Sequence, residues 1–299
     1  MLQIGDITIH LINDVTAYVD PGGAFGLVPR ALYSRYLMPD ERNFIPMCHL
    51  SLLVQAEGRN IVIDTGFGTK NMKLAARLMS VRPDAMNGLM RGLDALNVTP
   101  QDIDLVIDTH LHSDHCGGNT YYVEGGSEPV AAFPNAEYVV QRREYEDARQ
   151  PNERTRATYI ADNFEPLVTS GQMRLLDSDS DLAPGIRGVV TPGHTPGHMS
   201  IIFESQGQHG AFICDMASFA VHFERLGWMT AYDVEPLITL ETKRKWQRWA
   251  LDTDATLIFP HDCKRPVGQL KDEEGGKPFL VPLDVPVFGL DVADFNARY

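Results

Sequence analysis

The pattern of apolar and polar positions along the chain predicts nine β-strands. Most are short apolar runs that contain β-branched residues and are followed by polar or small residues, as is usual for strands bounded by turns. The runs are Ile7–Ile12, Leu50–Gln55, Asn60–Asp64, Leu105–Asp108, Glu137–Gln141, Ile186–Thr191, Ser200–Glu204, Gly210–Cys214 and Thr256–Phe259.

Apolar residues spaced three or four positions apart predict four helices. The helices are Asn71–Met79, Met86–Leu96, Arg142–Arg149 and Leu240–Leu251. They separate groups of strands and do not alternate with single strands, which favours two sheets with helices on their outer faces. The fold class expected from this pattern is α/β, or α+β.

The chain shows no internal repeat that would divide its 299 residues into similar parts. Its clusters of proline and glycine, Pro21–Gly26 and Glu273–Pro278, are typical of loops and not of linkers between domains. We therefore expect one domain over residues 1–299. The segment Asp20–His49 is long, aromatic and weakly periodic, so it is either a loop that covers a site or an ordinary packed excursion.

Composition and charge narrow the class of protein. The chain is 43% hydrophobic and 22% charged, close to the globular average, which excludes disorder and coiled coil. Its 26 basic and 40 acidic residues give a formal net charge of -14, which repels a phosphate backbone, so we expect no nucleic-acid partner. No apolar run approaches the roughly 18 residues of a membrane span, and the N-terminus lacks a basic region. We expect a cytoplasmic protein without a membrane partner.

The four cysteines, Cys48, Cys116, Cys214 and Cys263, form no CxxC pair. This spacing argues against a disulfide scaffold and against a cysteine-rich zinc site. We expect reduced and mostly buried thiols.

Residues 109–119 read THLHSDHCGGN and follow the predicted strand Leu105–Asp108. Alternate side chains at a strand end project the same way, so His110 and His112 can hold one metal ion. After the turn that follows, Asp114 and His115 can face a second ion. Imidazole nitrogens and carboxylate oxygens are ligands that zinc accepts, and the two glycines let the backbone pass close to the site.

Three further candidates lie at the ends of other predicted strands. His194 lies in TPGHTPGH, Asp215 follows the apolar run Ala211–Cys214, and His261 follows Leu257–Pro260. Taken singly, each histidine could be a satisfied loop residue, and Asp215 could be a helix N-cap. Together they would complete two metal sites.

The HxHxDH motif resembles that of the metallo-β-lactamase superfamily, and so does the aspartate in IVIDTGFG. The resemblance implies a four-layer αβ/βα sandwich that binds two divalent metal ions, with zinc expected and iron, manganese or cobalt as alternatives. It places His110, His112 and His194 on one metal, Asp114, His115 and His261 on the other, Asp215 between them, and Asp64 and His198 as supporting residues.

Three further stretches, GGAFGLVPRALY, RQPNERTRATYIADNFEPL and AYDVEPLITLETKRKW, resemble the YtnP-like quorum-quenching lactonase branch of that superfamily. This resemblance implies hydrolysis of N-acyl homoserine lactones in a homodimer. Two metals lower the pKa of a shared water towards about 7, and the resulting hydroxide attacks the lactone carbonyl.

The lactone also needs a proton donor for its leaving alkoxide. Asp114 is the candidate proton carrier. Many homoserine lactonases have a tyrosine three positions after the bridging aspartate, whereas this chain has Ser218. His222 is the candidate replacement, Tyr232 is an alternative, and Phe25 of the N-terminal segment is a candidate substrate contact.

Other functions remain open from the residues alone. The same metal pair could hydrolyse phosphotriesters, as in methyl-parathion-hydrolase-like relatives, or other carboxylic esters. A metal-stabilised module that binds a small molecule without turnover is a third alternative, and it would need metal sites closed to water.

Overall fold

Two large mixed β-sheets dominate the computed structural model, which describes residues 1–70, 80–81, 86–272 and 276–290. The first sheet contains eight strands in the order β1-β2-β3-β4-β5-β8-β9, with β17 beside β2. Its strands are β1 (Leu2–Ile4), β2 (Ile7–Val19), β3 (Ile45–Ala56), β4 (Arg59–Ile63), β5 (Leu105–Ile107), β8 (Glu137–Gln141), β9 (Met173–Leu176) and β17 (Val287–Phe288). Pairing is antiparallel from β1 to β4 and parallel from β4 to β9.

The second sheet contains seven strands in sequence order, β10 to β16. They are β10 (Ser180–Ala183), β11 (Ile186–Val190), β12 (Met199–Ser205), β13 (Gln208–Phe212), β14 (Thr256–Ile258), β15 (Val267–Lys271) and β16 (Phe279–Pro282). Its pairs are antiparallel except for the parallel pair β13 and β14. A small separate hairpin joins β6 (Thr120–Tyr122) to β7 (Pro129–Ala131).

The helices of the described residues are short, with one exception. They are α1 (Pro21–Phe25), α2 (Arg30–Tyr33), α3 (Gly88–Ala95), α4 (Ser113–Cys116), α5 (Arg142–Arg149), α6 (Glu165–Thr169), α7 (Ala220–Glu224) and α8 (Pro236–Thr253). Single 3-10 turns occur at Pro100–Asp102, Gly117–Asn119, Ala161–Asn163 and Cys214–Ala217. In the described part of the chain, no helix combines the length and the apolar character needed to cross a bilayer.

The two sheets pack face to face and share one hydrophobic core. Leu50, Leu52 and Val54 of β3 point into this core and meet Ile201 and Phe203 of β12 there. Side chains alternate between the faces of a strand, so the residues between them point outward. Because β3 is covered on both faces, nearly all of its residues are buried.

Helices cover the outer face of each sheet. Leu89 and Leu93 of α3 pack on the first sheet beside Leu53, and Trp246 of α8 packs on the second sheet beside Leu257. The order of layers is therefore helix, sheet, sheet, helix. This confirms the predicted α/β class and the αβ/βα sandwich, and the shared core supports our proposal of a single domain.

The nine predicted strands all coincide with observed ones, and two of them are much longer than predicted. β2 continues to Val19, and β3 begins at Ile45. Polar residues inside β2 interrupt its apolar pattern, so the sequence does not predict its second half. The register between β2 and β3 shifts there, between Asn13 and Thr16. Asp14 is buried there because its carboxylate accepts hydrogen bonds from the backbone of Phe67 and Leu89.

Three of the four predicted helices are confirmed. Arg142–Arg149 is α5, Met86–Leu96 contains α3, and Leu240–Leu251 lies inside α8. The fourth, Asn71–Met79, lies outside the described residues, as does part of the predicted loop Glu273–Pro278.

The segment Asp20–His49, expected to be either a loop over a site or an ordinary packed excursion, is more regular than its weak periodicity indicates. The segment contains α1, α2 and the start of β3. The sequence of α1, PGGAF, has poor helix propensity, but Asp20 caps the helix by accepting a hydrogen bond from Gly22 at 2.6 Å. Tertiary packing therefore orders a segment that its composition marks as a turn.

The shared core predicts a large effect for Leu52→Ala. Leu52 is fully buried between the sheets, so truncation should lower the free energy of unfolding by about 2–5 kcal/mol. Leu27→Ala is the matched control, because Leu27 is fully exposed, and it should stay within about 0.5 kcal/mol of the parent protein. Urea denaturation of both variants measures the difference, and equal midpoints would contradict the assignment of this core.

Candidate metal centre

Segments that follow strands of both sheets converge at one edge of the sandwich. The HxHxDH segment follows β5 and continues into α4, while His194 lies in the loop between β11 and β12. Asp215 lies in the 3-10 turn after β13, and His261 follows β14. The fold therefore brings together side chains that are up to about 150 positions apart in sequence.

The predicted ligands form two groups. The ligand atoms of His110, His112 and His194 lie within 4.8 Å of one another, and His112 Nδ1 is 3.1 Å from His194 Nε2. In the other group, His115 Nε2 is 3.2 Å from His261 Nε2, and Asp114 Oδ2 is 3.6 Å and 3.8 Å from those two nitrogens.

Asp215 lies between the two groups. Its Oδ2 is 3.2 Å from His194 Nε2 and 3.6 Å from His115 Nε2, and its Oδ1 is 3.1 Å from His261 Nε2. One carboxylate therefore contacts imidazoles of both groups, which is the position expected of a bridging ligand.

A hydrogen bond on the far side of the ring orients each of three histidines. In His115, Nδ1 lies 2.9 Å from Asp64 Oδ2. In His194 it lies 3.0 Å from Asp233 Oδ1, and in His261 it lies 2.7 Å from the carbonyl oxygen of Cys48. Acceptors of this kind hold the proton on Nδ1, so the Nε2 lone pair faces the centre. Such outer partners usually accompany metal-bound histidines.

These residues fit a pair of divalent metal ions. With Nδ1 protonated, the Nε2 lone pairs of His115 and His261 face each other and repel unless a cation lies between them. Zinc–nitrogen bonds of about 2.0–2.1 Å place neighbouring tetrahedral ligands about 3.3 Å apart, close to the separations found here. His110 Nε2 is also buried and has no hydrogen-bond partner among the described residues.

Metal binding needs neutral imidazoles and ionised carboxylates, and the pKa shifts of His112 and Asp215 are in that direction, whereas at His115 and His194 neighbouring acidic groups outweigh burial and raise the pKa. Burial, followed by the neighbouring His194, lowers the pKa of His112 to about 3. Burial opposes ionisation of Asp215, but His261, His194 and His115 outweigh it and hold the pKa of its carboxyl well below the ordinary value.

Asp64 supports the HxHxDH segment, as the resemblance implies. Its carboxylate accepts hydrogen bonds from Thr109 N and Thr109 Oγ1, both at 2.8 Å, and from His115 Nδ1. Behind the motif, a side chain on Gly117 or Gly118 would collide with the backbone of Phe67 or Thr65. The two glycines therefore allow the close approach that the sequence predicts.

His198 and Cys214 lie beneath the ligands. The ring of His198 is 5.2 Å from that of His110, and its Nδ1 is 2.8 Å from Thr191 Oγ1. The Cys214 Sγ is 3.0 Å from Thr109 Oγ1 and 3.4 Å from Asp64 Oδ2. Both side chains are fully buried.

Sequence reasoning missed three buried residues beside the candidate ligands, Glu144, Asp233 and His49. Glu144 lies in the strongly charged helix α5, a pattern typical of an exposed surface, but it is fully buried. Its carboxylate accepts hydrogen bonds from Leu111 N, Tyr159 Oη and Thr195 Oγ1. It therefore ties the HxHxDH segment to the loop of His194, and no local signal in the sequence marks it.

A cavity of about 330 Å³ opens above Asp114 and Asp215. Its walls are largely apolar, with hydroxyl groups interspersed among them. Besides the candidate ligands, its lining includes Val19, Asp20, Ala24, Met47, Phe67, Ser113, Ala157, Thr158, Ser218, Phe219, Thr230 and Tyr232. Pockets that bind small molecules usually combine apolar walls with a few polar groups in this way.

The structure corrects two predicted substrate contacts. His222 is buried, and its ring packs against Phe25 and Phe219 at 5.4 Å and 5.3 Å between centroids. Phe25 is also fully buried, and neither side chain lines the cavity. His222 therefore packs against Phe25 of α1 and Phe219 and stays outside the cavity. Tyr232, in contrast, lines the cavity wall.

Comparison with known proteins identifies the family of this chain. Residues 48–278 match the model of the metallo-beta-lactamase superfamily. A probable metal-dependent hydrolase from Staphylococcus aureus has a solved structure that matches with a TM-score of 0.85 and 30% identity, covering 96% of this chain and 100% of that chain. AidC, a dizinc quorum-quenching lactonase in complex with a product, matches with a TM-score of 0.78 and 18% identity, covering 95% and 97%.

A curated relative from Bacillus sp is named N-acyl homoserine lactonase. It is 26% identical over 242 residues, which cover 78% of this chain and 87% of the relative.

The hydrogen bonds of Asp64 predict that Asp64→Asn weakens metal binding. An amide oxygen cannot accept all three bonds from Thr109 and His115, so metal affinity should fall by about 10–100-fold. Competition with a chelator, followed by metal analysis, measures this change. Asp181→Asn is the control, because that side chain is 89% exposed on β10. Unchanged metal retention in Asp64→Asn would contradict the supporting role.

Proposed function

The chain belongs to the metallo-beta-lactamase superfamily, and from this premise we propose that it is a metal-dependent hydrolase that opens N-acyl homoserine lactones. The observation that carries the proposal is the position of Asp215 between two groups of imidazoles at the floor of a small apolar cavity. The relatives named N-acyl homoserine lactonase support the choice of substrate.

Seven side chains would hold the metals, in the two groups described above with Asp215 shared. When bound, divalent metals activate water at neutral pH and polarise a carbonyl oxygen. The histidine-rich ligand set favours zinc over iron or manganese.

The cavity suits a neutral, partly apolar substrate. Val19, Met47, Phe67 and Phe219 offer apolar surface to an acyl chain. The carboxylate of Asp20 lies at the same wall and repels anionic substrates. A volume of about 330 Å³ is at the small end for ligand pockets, so short acyl chains should fit best.

Asp114 is suited to carry the proton. Its side chain is 20% exposed and lines the cavity, whereas those of His115 and His261 are almost fully buried. The carboxylate of Asp114 can accept the proton of the attacking water as the lactone carbonyl is attacked. It can then return that proton to the alkoxide oxygen of the opened ring.

Tyr232 takes the place proposed for the missing tyrosine. Its ring lines the cavity, and its hydroxyl packs so closely on Gly23 that any side chain there would clash with it. Partial burial of Tyr232 in the cavity wall, followed by the carboxylates of Asp114, Asp20 and Asp215, raises the pKa of its hydroxyl. The hydroxyl therefore stays protonated and can donate to the oxygen on which negative charge develops. Ser218, at the position where many homoserine lactonases have the tyrosine, lines the same cavity.

The homodimer, which the resemblance implies, and the cytoplasmic location, which the N-terminus and the lack of a long apolar run indicate, stay predictions.

We expect metal-dependent acid release from lactones. In a pH-stat assay, short-chain N-acyl homoserine lactones should be hydrolysed faster than long-chain ones and faster than an aryl phosphotriester. Chelation should abolish the signal, and added zinc should restore it. Faster turnover of the phosphotriester would replace the lactonase proposal with the phosphotriesterase alternative, and binding without any turnover would favour a binding module.

Asp215→Asn serves as the active-site control in this assay. The amide offers one oxygen and no charge, so turnover should be lost while the fold is kept. Retained turnover would contradict the bridging role of Asp215.

Tyr232→Phe should lower kcat/KM for lactones by about a hundredfold, because one donor to the developing oxyanion is removed. Turnover of an aryl phosphotriester should fall less, since its activated leaving group makes the attack less dependent on a donor to the developing charge. Steady-state kinetics on both substrates measure the difference. Tyr121→Phe is the matched control, because Tyr121 is exposed to a similar extent, 44% against 43%, on the β6–β7 hairpin. Equal effects of the two substitutions would exclude Tyr232 as the donor.

A further inference from the structure

His49 lies beside the metal centre and belongs to none of the motifs that mark it. It is on β3 opposite the irregular part of β2, and its side chain is 1% exposed. Its backbone N–H donates to Asn13 Oδ1 at 3.0 Å. His49 therefore lies within a strand that carries none of the other candidate ligands.

The hydrogen bond on one side of the ring determines its tautomer. His49 Nδ1 lies 3.1 Å from the carbonyl oxygen of Val15, which can only accept. Nδ1 therefore carries the proton, and in the neutral ring the lone pair is on Nε2. That nitrogen is buried and has no hydrogen-bond partner among the described residues.

The unpartnered nitrogen points to the second group of candidate ligands. Nε2 is 3.6 Å from Asp114 Oδ2, and the ligand atoms of His49, Asp114 and His261 all lie within 4.8 Å of one another. Phe67 packs edge-on against the His49 ring at 4.6 Å between centroids. A lone pair facing a carboxylate oxygen is unfavourable unless a cation lies between them.

His49 makes the same kind of hydrogen bond through Nδ1 as the candidate ligand His261. In His261, Nδ1 faces the Cys48 carbonyl, and in His49 it faces the Val15 carbonyl. Both rings thus present Nε2 to the same space beside Asp114. A histidine with this arrangement has the orientation of a metal ligand.

We propose that His49 Nε2 is an additional ligand of the metal held by Asp114, His115 and His261. The inference rests on the dinuclear centre of the proposed function. With Asp215 shared, this metal has five protein ligands, whereas the metal at His110, His112 and His194 has four. The two ions should therefore differ in ligand field and in retention.

The test is His49→Gln, which keeps a side chain of similar length and removes the imidazole nitrogen. We expect the parent protein to retain two metal ions per chain under a mild chelator and the variant to lose one of them about tenfold faster. In the cobalt-substituted proteins, the visible absorption bands of one ion should change. His209→Gln is the matched control, because His209 lies at the surface of β13 and pairs with Glu204.

Two outcomes would overturn the proposal. One is a His49→Gln protein with two ions, parental chelator resistance and unchanged cobalt bands. The other is equal weakening of both ions, which would indicate a general structural role. If His49→Gln does not fold, His49→Ala with added imidazole replaces it, and the cobalt bands should then depend on imidazole concentration. None of these readouts uses lactone turnover, so inactivity towards lactones would remove the proposed substrate and leave this inference standing.

Discussion

The crowding of metal-ligating groups at one edge of the sandwich is the constraint on which the rest of the structure depends. Asp114, Asp215 and several imidazoles present lone pairs or negative charge to a space only a few ångströms across. Such groups repel one another, and burying them costs much free energy unless a cation compensates. Metal binding and the stability of this edge are therefore expected to be coupled.

Buried carboxylates behind the candidate ligands hold this edge of the sandwich in place. Asp64 connects the end of β4 to Thr109 and His115, and Asp233 orients His194. Glu144 joins two ligand loops, and Asp14 holds the backbone of the loop after β4. Each carboxylate accepts several hydrogen bonds, which offsets its burial. Rigid outer partners keep the ligands in place.

The cavity is built from different parts of the chain than the metal floor. Its walls come from the N-terminal segment around α1, from residues 157–158 and from the loop before α8. Arg154 joins two of these parts, because its guanidinium donates to the carbonyl oxygens of Ala231 and Asp233. The same loop therefore carries Tyr232 at the wall and Asp233 behind His194. Substrate selection and metal orientation are linked through it.

The sequence by itself determined the positions of most strands and of three helices, the layered class and the candidate ligands. Strands such as Glu137–Gln141 are readable because their apolar pattern is local, and HxHxDH is readable because its ligands are close together along the chain. The tertiary structure decided the remainder. The second half of β2 is hidden by buried polar residues whose partners lie 53 and 75 positions away. Glu144 and His49 acquire their positions only when distant loops close over them, and His222 loses its expected contact because Phe25 and Phe219 pack in front of it. A local pattern specifies which face of an element is apolar, but long-range packing decides which polar groups are enclosed and what they face.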